Sequence, residues 1–228
     1  MASSRNLSII IPVFNEIRTI RAALQKVLLQ QTGQWQKEII VIDDGSNDGT
    51  SQEIMRMGEG IVVIRHEQNW GQGRALRTGL AHARGEVVVF HDADLEYDPS
   101  DWPRMLEVFE RGAAPVVYGS RTKGATRRGY LHYVIGARLL TEAFNVLWRA
   151  TLSDLYTGAK MFRRELVEGV VFQEDGFAFQ VELTSCFLRK RTPIVEVAID
   201  YSPRTFAEGK KITIWDGLQG LYALMRYR

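Results

Sequence analysis

The sequence predicts a single α/β domain with a mostly parallel central sheet and helices on both faces. Short runs of β-branched residues alternate with helical patterns through the first half of the 228-residue chain. These runs are apolar on both faces, which is typical of strands buried in a parallel sheet. Polar clusters follow the strands directly, where ligands bind in such sheets. Because no repeat or linker divides the chain, we expect one domain over residues 1–228.

The first half of the chain predicts four strands that alternate with three helices. We expect the strands at residues 7–13, 38–42, 61–64 and 86–90. The first helix should follow Asn15, a favourable N-cap residue, and carries apolar side chains at helical spacing from Ile17 to Leu28. Two further helices are expected at residues 50–57 and 73–83. This alternation indicates a parallel sheet covered by helices.

The second half is less regular. After a helix at residues 102–111 and a strand at 116–118, the pattern predicts a long helix near 131–150 and a glycine-containing loop over 154–160. A helix near 179–189 and a strand near 194–201 follow. We therefore expect these elements to extend the same sheet and its helical layers.

The composition excludes several classes of protein. A single cysteine, Cys186, forms neither an intrachain disulfide nor a cysteine-rich zinc site, so a reducing, cytoplasmic location is expected. No run reaches the roughly 18 uncharged apolar residues of a transmembrane helix, because Arg138 and Glu142 interrupt the best candidate. Any membrane contact is therefore expected to be peripheral.

The charge is distributed unevenly along the chain. Residues 1–115 carry 12 Lys and Arg against 16 Asp and Glu, whereas residues 116–228 carry 17 against 11. This asymmetry indicates different partners for the two halves, and we expect no nucleic acid among them. An apolar helical stripe near the C-terminus, flanked by Lys210, Lys211, Arg226 and Arg228, either packs in the core or lies on an anionic membrane surface.

Two acidic pairs follow predicted strands. Asp92 and Asp94 are one residue apart after the fourth strand, so pleating would place them on one side, where Mg²⁺ or Mn²⁺ and a diphosphate could bind. The alternative is a solvated acidic turn. Asp43 and Asp44 follow the second strand and could accept hydrogen bonds from a ribose or a base, or could simply end the strand.

Two nucleotide-binding classes are excluded by glycine spacing. Residues 71–73 read Gly-Gln-Gly but lack the spacing of the dinucleotide-binding fingerprint, and the chain has no P-loop motif. A Rossmann dehydrogenase and a P-loop ATPase are therefore not expected.

Four motifs in order resemble those of family 2 glycosyltransferases, which have the GT-A fold. They are Ser-Ile-Ile-Ile-Pro-Val-Phe-Asn-Glu at residues 8–16, Val-Ile-Asp-Asp-Gly-Ser-Asn-Asp-Gly-Thr at 41–50, Asn-Trp-Gly-Gln-Gly at 69–73 and Asp-Ala-Asp-Leu at 92–95. The rest of the chain is similar to the dolichyl-phosphate mannose synthase branch, through Tyr-Gly-Ser-Arg at 118–121, the loop at 154–162, Phe-Gln-Val-Glu-Leu at 179–183 and Tyr-Ser-Pro-Arg at 201–204.

This resemblance implies a role for each matched residue. The implied nucleoside pocket consists of Pro12, Phe14, Glu16, Asp43 and Asp44. The implied ligands of the metal and the diphosphate are Asp92, Asp94 and Glu96, and the implied basic partners of phosphate are Arg121, Arg204 and Lys210. The donor would be a GDP- or UDP-sugar, of a mannose- or glucose-like sugar, and the acceptor a polyprenyl or dolichyl phosphate. Phe14, Gln72 and Glu96 differ from the residues common in the family, so the donor stays open.

The implied reaction is an inverting displacement at the anomeric carbon, with the metal at Asp94 neutralising the leaving diphosphate. An ionised lipid phosphate would need no general base. A hydroxyl acceptor would need one, and Asp154 and Glu182 are the candidates, although Asp154 could instead cap a turn and Glu182 could pair with an arginine.

Three alternatives differ in chemistry. The first is a soluble family 2 transferase that acts on a saccharide or another hydroxyl acceptor. The second is a partner subunit that binds nucleotide or sugar without catalysis, which the intact Asp92 and Asp94 disfavour. The third is a sugar-nucleotide pyrophosphorylase, which would need a glycine-rich basic loop where residues 12–16 have none.

Overall fold

The computed structural model describes residues 5–124, 131–204 and 214–228. It contains a seven-stranded sheet, which confirms the predicted α/β class. The strands are β1 (Arg5–Val13), β2 (Trp35–Asp43), β3 (Ile61–Arg65), β4 (Val87–Phe90), β5 (Val116–Ser120), β6 (Lys160–Arg163) and β7 (Ile194–Ala198). The helices are α1 (Ile20–Leu29), α2 (Thr50–Arg56), α3 (Gln72–His82), α4 (Trp102–Glu110), α5 (Leu131–Trp148), α6 (Phe179–Arg189) and α7 (Ile214–Arg226).

The strand order is β3-β2-β1-β4-β6-β5-β7. Strand β1 lies parallel between β2 and β4, so that Ile9 pairs with Ile39 on one side and with Val89 on the other. Strand β6 runs antiparallel between β4 and β5, and β7 pairs parallel with β5. The carboxyl ends of β1, β2 and β4 therefore meet at one edge of the sheet, where the acidic motifs emerge.

The two faces of the sheet form two cores, because successive side chains of a strand point to opposite faces. Ile9 and Ile11 pack with α1 and α4, whereas Ile10 and Phe90 pack with α3 and α6. A third cluster lies between α5, α6 and α7 around Phe144, Val181 and Leu224. The central strands are buried on both faces, which explains their nearly continuous apolar sequences.

Three local expectations were wrong. Residues 160–163, at and beyond the end of the predicted loop, form strand β6. Asn15 does not cap the first helix, which begins at Ile20; its backbone is left-handed, with φ of 52°, and its side-chain oxygen accepts the Asn47 N–H. Strand β3 is at the sheet edge and exposes Val62 and Val63, so it is not buried on both faces.

Within residues 5–124, 131–204 and 214–228, no helix combines the length and the apolar character that crossing a bilayer requires.

Candidate functional site

A cavity of about 300 Å³ lies at the carboxyl edge of β1, β2 and β4. It collects most of the residues that the sequence predicted for the site, although they come from distant parts of the chain. The predicted residues that line it are Pro12, Phe14, Glu16, Asp44, Asp92, Asp94, Glu96, Arg121 and Arg204. The walls therefore combine five carboxylates with two guanidinium groups.

Asp92 and Asp94 converge on the cavity through a turn and not through strand pleating. Strand β4 ends at Phe90, and the chain then turns through Leu95, whose φ is 63°. The Glu96 N–H donates to Asp94 Oδ1 at 3.0 Å, and Gln72 Nε2 donates to Asp92 Oδ1 at 3.0 Å. The predicted convergence is thus present, but its physical cause is local turn geometry.

Burial and mutual repulsion disfavour the ionised forms of these two acids. Burial, then the charge of Glu96, raises the pKa of Asp92 to about 6. Burial, then the charges of Asp92 and Glu96, raises the pKa of Asp94 to about 8, although Arg204 acts in the opposite direction. Burial and crowding therefore favour the protonated forms of both acids.

Arg204 binds three of the acids. Its Nη1 donates to Glu16 Oε2 and its Nη2 donates to Asp94 Oδ2, both at 2.8 Å. Its backbone N–H donates to Glu96 Oε1 at 2.7 Å, and the Tyr201 hydroxyl donates to Glu96 Oε2 at 2.5 Å. Both oxygens of Glu96 are therefore engaged. In the described part of the chain, no three Asp, Glu, His or Cys side chains are grouped as a preformed metal site.

Arg121 enters the cavity from the end of β5 and is held by Asp154. Its Nε and Nη2 donate to the two Asp154 oxygens at 2.7 Å each, and its backbone N–H donates to Oδ2 at 3.1 Å. The guanidinium lies 5.1 Å from the centre of the Tyr201 ring. Asp154 does not line the cavity and instead fixes the orientation of Arg121.

Glu182 also lies away from the cavity. It is buried at the start of α6, where its carboxylate accepts the backbone N–H groups of Gln173 at 2.9 Å and Glu174 at 2.9 Å. It therefore anchors the turn before α6, and the predicted ion pair with an arginine is not among the described contacts.

The two acids after β2 have different surroundings. Asp44 lines the cavity, and its oxygens accept the N–H groups of Trp70 at 3.0 Å and Gly71 at 2.8 Å. Asp43 is buried and accepts from the Ser46 N–H at 3.0 Å and from the Ser51 hydroxyl. Asp43 is not among the residues lining the cavity, so it shapes the loop that carries Asp44.

Several cavity residues escaped the sequence reasoning. They are Gln72, Tyr97, Tyr156, Gln180 and Tyr201. Of these five, only Tyr97 lies outside the recognised motifs, and none of the three tyrosines has a spacing that separates it from core residues. The Gly158 N–H donates to the Tyr97 hydroxyl at 2.9 Å, and a side chain at Gly158 would collide with Asp92 Oδ2. Lys210, predicted as a phosphate partner, lies outside the described residues.

The sequence profile of glycosyl transferase family 2 matches residues 8–171, which include the acidic edge of the sheet, Arg121 and Asp154. The chain is a family 2 glycosyltransferase. This family 2 glycosyltransferase is 25% identical over 213 residues to undecaprenyl-phosphate 4-deoxy-4-formamido-L-arabinose transferase of Photorhabdus laumondii, covering 90% of this chain and 63% of the relative. The Yersinia pestis enzyme of that name is 26% identical over 215 residues, covering 90% and 62%. The chain thus spans just under two thirds of these relatives.

Solved structures show that this glycosyltransferase has the GT-A fold. Glucosyl-3-phosphoglycerate synthase from Mycobacterium tuberculosis in complex with UDP superposes with a TM-score of 0.76 at 23% identity, covering 98% of this chain and 80% of that one. The complex of the same synthase with Mn²⁺, UDP and glucosyl-3-phosphoglycerate has a TM-score of 0.76 at 21% identity, with coverage of 98% and 80%.

Proposed function

We propose that this chain transfers a sugar from a GDP- or UDP-sugar to a polyprenyl phosphate. The phosphate oxygen of the acceptor forms a bond to the anomeric carbon, with inversion, as the bond from that carbon to the diphosphate breaks. The nucleoside diphosphate leaves. The observation that carries the proposal is the cavity itself, where carboxylates from the strand ends face Arg121 and Arg204. Such a site matches a metal-bound diphosphate beside an anionic acceptor.

The two halves of the chain divide these tasks in our proposal. Residues 1–115 supply Pro12, Phe14, Glu16 and Asp44 for the nucleoside side, together with the acids at 92–96. Residues 116–228 supply Arg121 and Arg204, whose guanidinium groups suit phosphate oxygens. The acidic and basic balance of the two halves supports this division.

Asp92 and Asp94 fit a divalent cation. Both have a pKa that is raised by partial burial and by crowding with other acids, and both line the same cavity. Oxygen-only ligands favour Mg²⁺ or Mn²⁺, and the solved relative binds UDP with either ion. When bound, the cation would neutralise the leaving diphosphate. Glu96 fits less well as a ligand, because both its oxygens already accept hydrogen bonds.

The state of the candidate bases supports a phosphate acceptor over a hydroxyl acceptor. Asp154 is committed to Arg121 and Glu182 to two backbone N–H groups, and neither lines the cavity. A hydroxyl would need a positioned base to take its proton, whereas a phosphate is already ionised at neutral pH. The curated relatives are, by name, transferases to undecaprenyl phosphate.

A thermal-shift panel tests the donor site. We expect a UDP- or GDP-sugar with Mn²⁺ to raise the melting temperature, because a ligand that binds only the folded state stabilises it. Asp94→Asn should keep the fold and abolish the metal-dependent part of the shift. Asp98→Asn is the matched control, because Asp98 pairs with Lys26 and does not line the cavity. An unchanged shift in Asp94→Asn would place the metal elsewhere.

Turnover assays separate the two acceptor classes. Undecaprenyl phosphate and a panel of free saccharides are offered with the donor identified by the thermal shift. We expect glycosyl transfer to the lipid phosphate only. Transfer to saccharide hydroxyls with no reaction on the lipid phosphate would replace the proposal by a transferase for hydroxyl acceptors.

A further inference from the structure

We propose that Arg204 occupies the place of the divalent cation in the free protein, so that cation and guanidinium compete for Asp94. The cation then binds well only together with the nucleotide diphosphate, which gives Arg204 a new anionic partner. This inference rests on the proposed function in one respect, namely that a divalent cation binds at Asp92 and Asp94.

The first argument is geometric. The guanidinium of Arg204 donates hydrogen bonds to Glu16 and to Asp94, each at 2.8 Å. The backbone N–H of Arg204 donates to Glu96 at 2.7 Å. The guanidinium is therefore in direct contact with the acid that is the strongest candidate for metal ligation. Its side chain is only 14% exposed, so this contact is made inside the cavity and not in bulk solvent.

The second argument concerns charge. Glu16, Asp92, Asp94 and Glu96 line one cavity, and the other guanidinium there, on Arg121, makes a bidentate pair with Asp154. Arg204 is in direct contact with three members of this cluster, Glu16, Asp94 and Glu96. A divalent ion that entered while Arg204 stayed would meet a like charge at a few ångströms in a poorly screened site, which is strongly unfavourable.

The third argument concerns what Arg204 can exchange. Its Nε is buried and has no hydrogen-bond partner within the described residues, so the guanidinium does not use all its donors on the carboxylates. A diphosphate presents several acceptor oxygens and can bind a guanidinium through two parallel bonds. Exchanging Asp94 for a diphosphate therefore costs little free energy, because the guanidinium keeps an anionic partner. Leaving Asp94 without a new partner would cost much more, because the guanidinium charge would stay in the cavity uncompensated.

Binding of Mn²⁺ in the absence of nucleotide tests the proposal directly. Calorimetry or the electron paramagnetic resonance signal of free Mn²⁺ gives the affinity of the wild-type protein and of Arg204→Gln. We expect Arg204→Gln to bind Mn²⁺ alone about tenfold more tightly or better, because a like charge has been removed from a poorly screened site. Arg163→Gln is the control, since Arg163 pairs with Glu86 outside the cavity and should leave the affinity unchanged.

Thermal melting provides a second measurement on the same proteins. Without metal, Arg204→Gln should melt at a lower temperature than wild type, because its acids repel one another. Mn²⁺ alone should restore most of that loss, and should shift wild type little. Arg204→Lys, which keeps the charge, should resemble wild type in Mn²⁺ affinity.

The possible outcomes are distinct. In the first outcome, Arg204→Gln binds Mn²⁺ alone no better than wild type does, while wild type binds Mn²⁺ with UDP or GDP. This result overturns the competition and leaves the proposed function intact. Wild type that binds Mn²⁺ neither alone nor with either nucleotide overturns both. Wild type that binds Mn²⁺ alone as tightly as it does with nucleotide also overturns the competition.

Discussion

At the scale of single residues, the Arg121–Asp154 pair shows how a predicted catalytic acid serves a different purpose. The side chain of Asp154 is 4% exposed, and it accepts two parallel hydrogen bonds from Arg121 that orient the guanidinium toward the cavity. Burial alone would lower the pKa of Arg121, but neighbouring groups, Asp154 among them, raise it well above its ordinary value. Asp154 therefore positions Arg121, the arginine that we propose binds phosphate.

Breaking this pair should cost stability as well as activity. We expect Asp154→Asn to lower the free energy of unfolding by about 3 kcal/mol, because removing one partner leaves a buried charge uncompensated. Urea denaturation measures the loss. Glu107→Gln, which removes an exposed i,i+4 pair with Arg111, should change stability by no more than about 0.5 kcal/mol. Equal effects of the two substitutions would contradict a buried, oriented pair.

The raised pKa values of Asp92 and Asp94 predict how metal binding depends on pH. A metal ligand must be deprotonated, and burial together with neighbouring acids raises the pKa of Asp92 to about 6 and that of Asp94 to about 8. Affinity for Mn²⁺ with UDP or GDP should therefore rise with pH between about 6 and 8 and level off above that. Calorimetry in two buffers of different protonation enthalpy should show proton release that declines over the same interval. An affinity that falls with pH would contradict this assignment of ligands.

At the scale of elements, helix α3 approaches β1 so closely that it depends on a glycine. A Cβ at Gly79 would collide with the side chain of Ile10, which is fully buried in the sheet. Gly136 in α5 is the opposite case, because it is exposed and no described atom lies within 4 Å of the position of its Cβ.

These two glycines give a matched test of helix packing. Gly79→Ala should destabilise the protein by about 1–3 kcal/mol through overpacking, despite the better helix propensity of alanine. Gly136→Ala should stabilise it by up to about 1 kcal/mol, because only the propensity changes. Chemical denaturation of both variants checks the signs. A stabilising Gly79→Ala would show that α3 can move away from β1 at little cost.

Helices α5 and α7 pack on each other and still leave apolar residues in solvent. The exposed stripe of α7 consists of Leu218, Leu221, Tyr222 and Met225, and α5 exposes Ile135, Leu139 and Val146. The predicted core role of the terminal helix is thus confirmed for one face, whereas contact of its exposed face with a membrane stays a prediction. The buried face of α7 carries Ala223 and Leu224, and Tyr227, just after the helix, is also buried.

At the scale of the whole molecule, a lipid acceptor requires the cavity to work beside a membrane, and we expect the exposed face of α7 to make that contact. Leu221→Glu should weaken co-sedimentation with anionic vesicles about tenfold, because it removes one buried leucine and adds a repelled charge. Leu29→Glu is the control, since Leu29 is 77% exposed on α1 in the acidic half. Salt should weaken the wild-type interaction. Equal loss in both variants would contradict a contact specific to α7.

The sequence alone determined the fold class, the order of the early strands and helices, and the acidic edge of the sheet. It could do so because buried parallel strands have continuous apolar sequences, and the chain places its acids directly after β2 and β4. These are local patterns, each read within a few residues. Local patterns were also enough to identify the family, because each of its motifs is a contiguous stretch of sequence.

Only the tertiary structure decided which of the predicted residues share a cavity and what each does there. Strand β6 is four residues long and opens with Lys160, whose buried Nζ donates to Leu155 O, Thr157 O and Gln180 Oε1, so its place comes from long-range pairing and not from an apolar pattern. The Arg121–Asp154 pair likewise joins residues that are 33 positions apart in the sequence, and the Arg204–Glu16 pair joins residues that are 188 positions apart. Hydrogen-bond partners at such separations depend on chain packing, which no local pattern encodes.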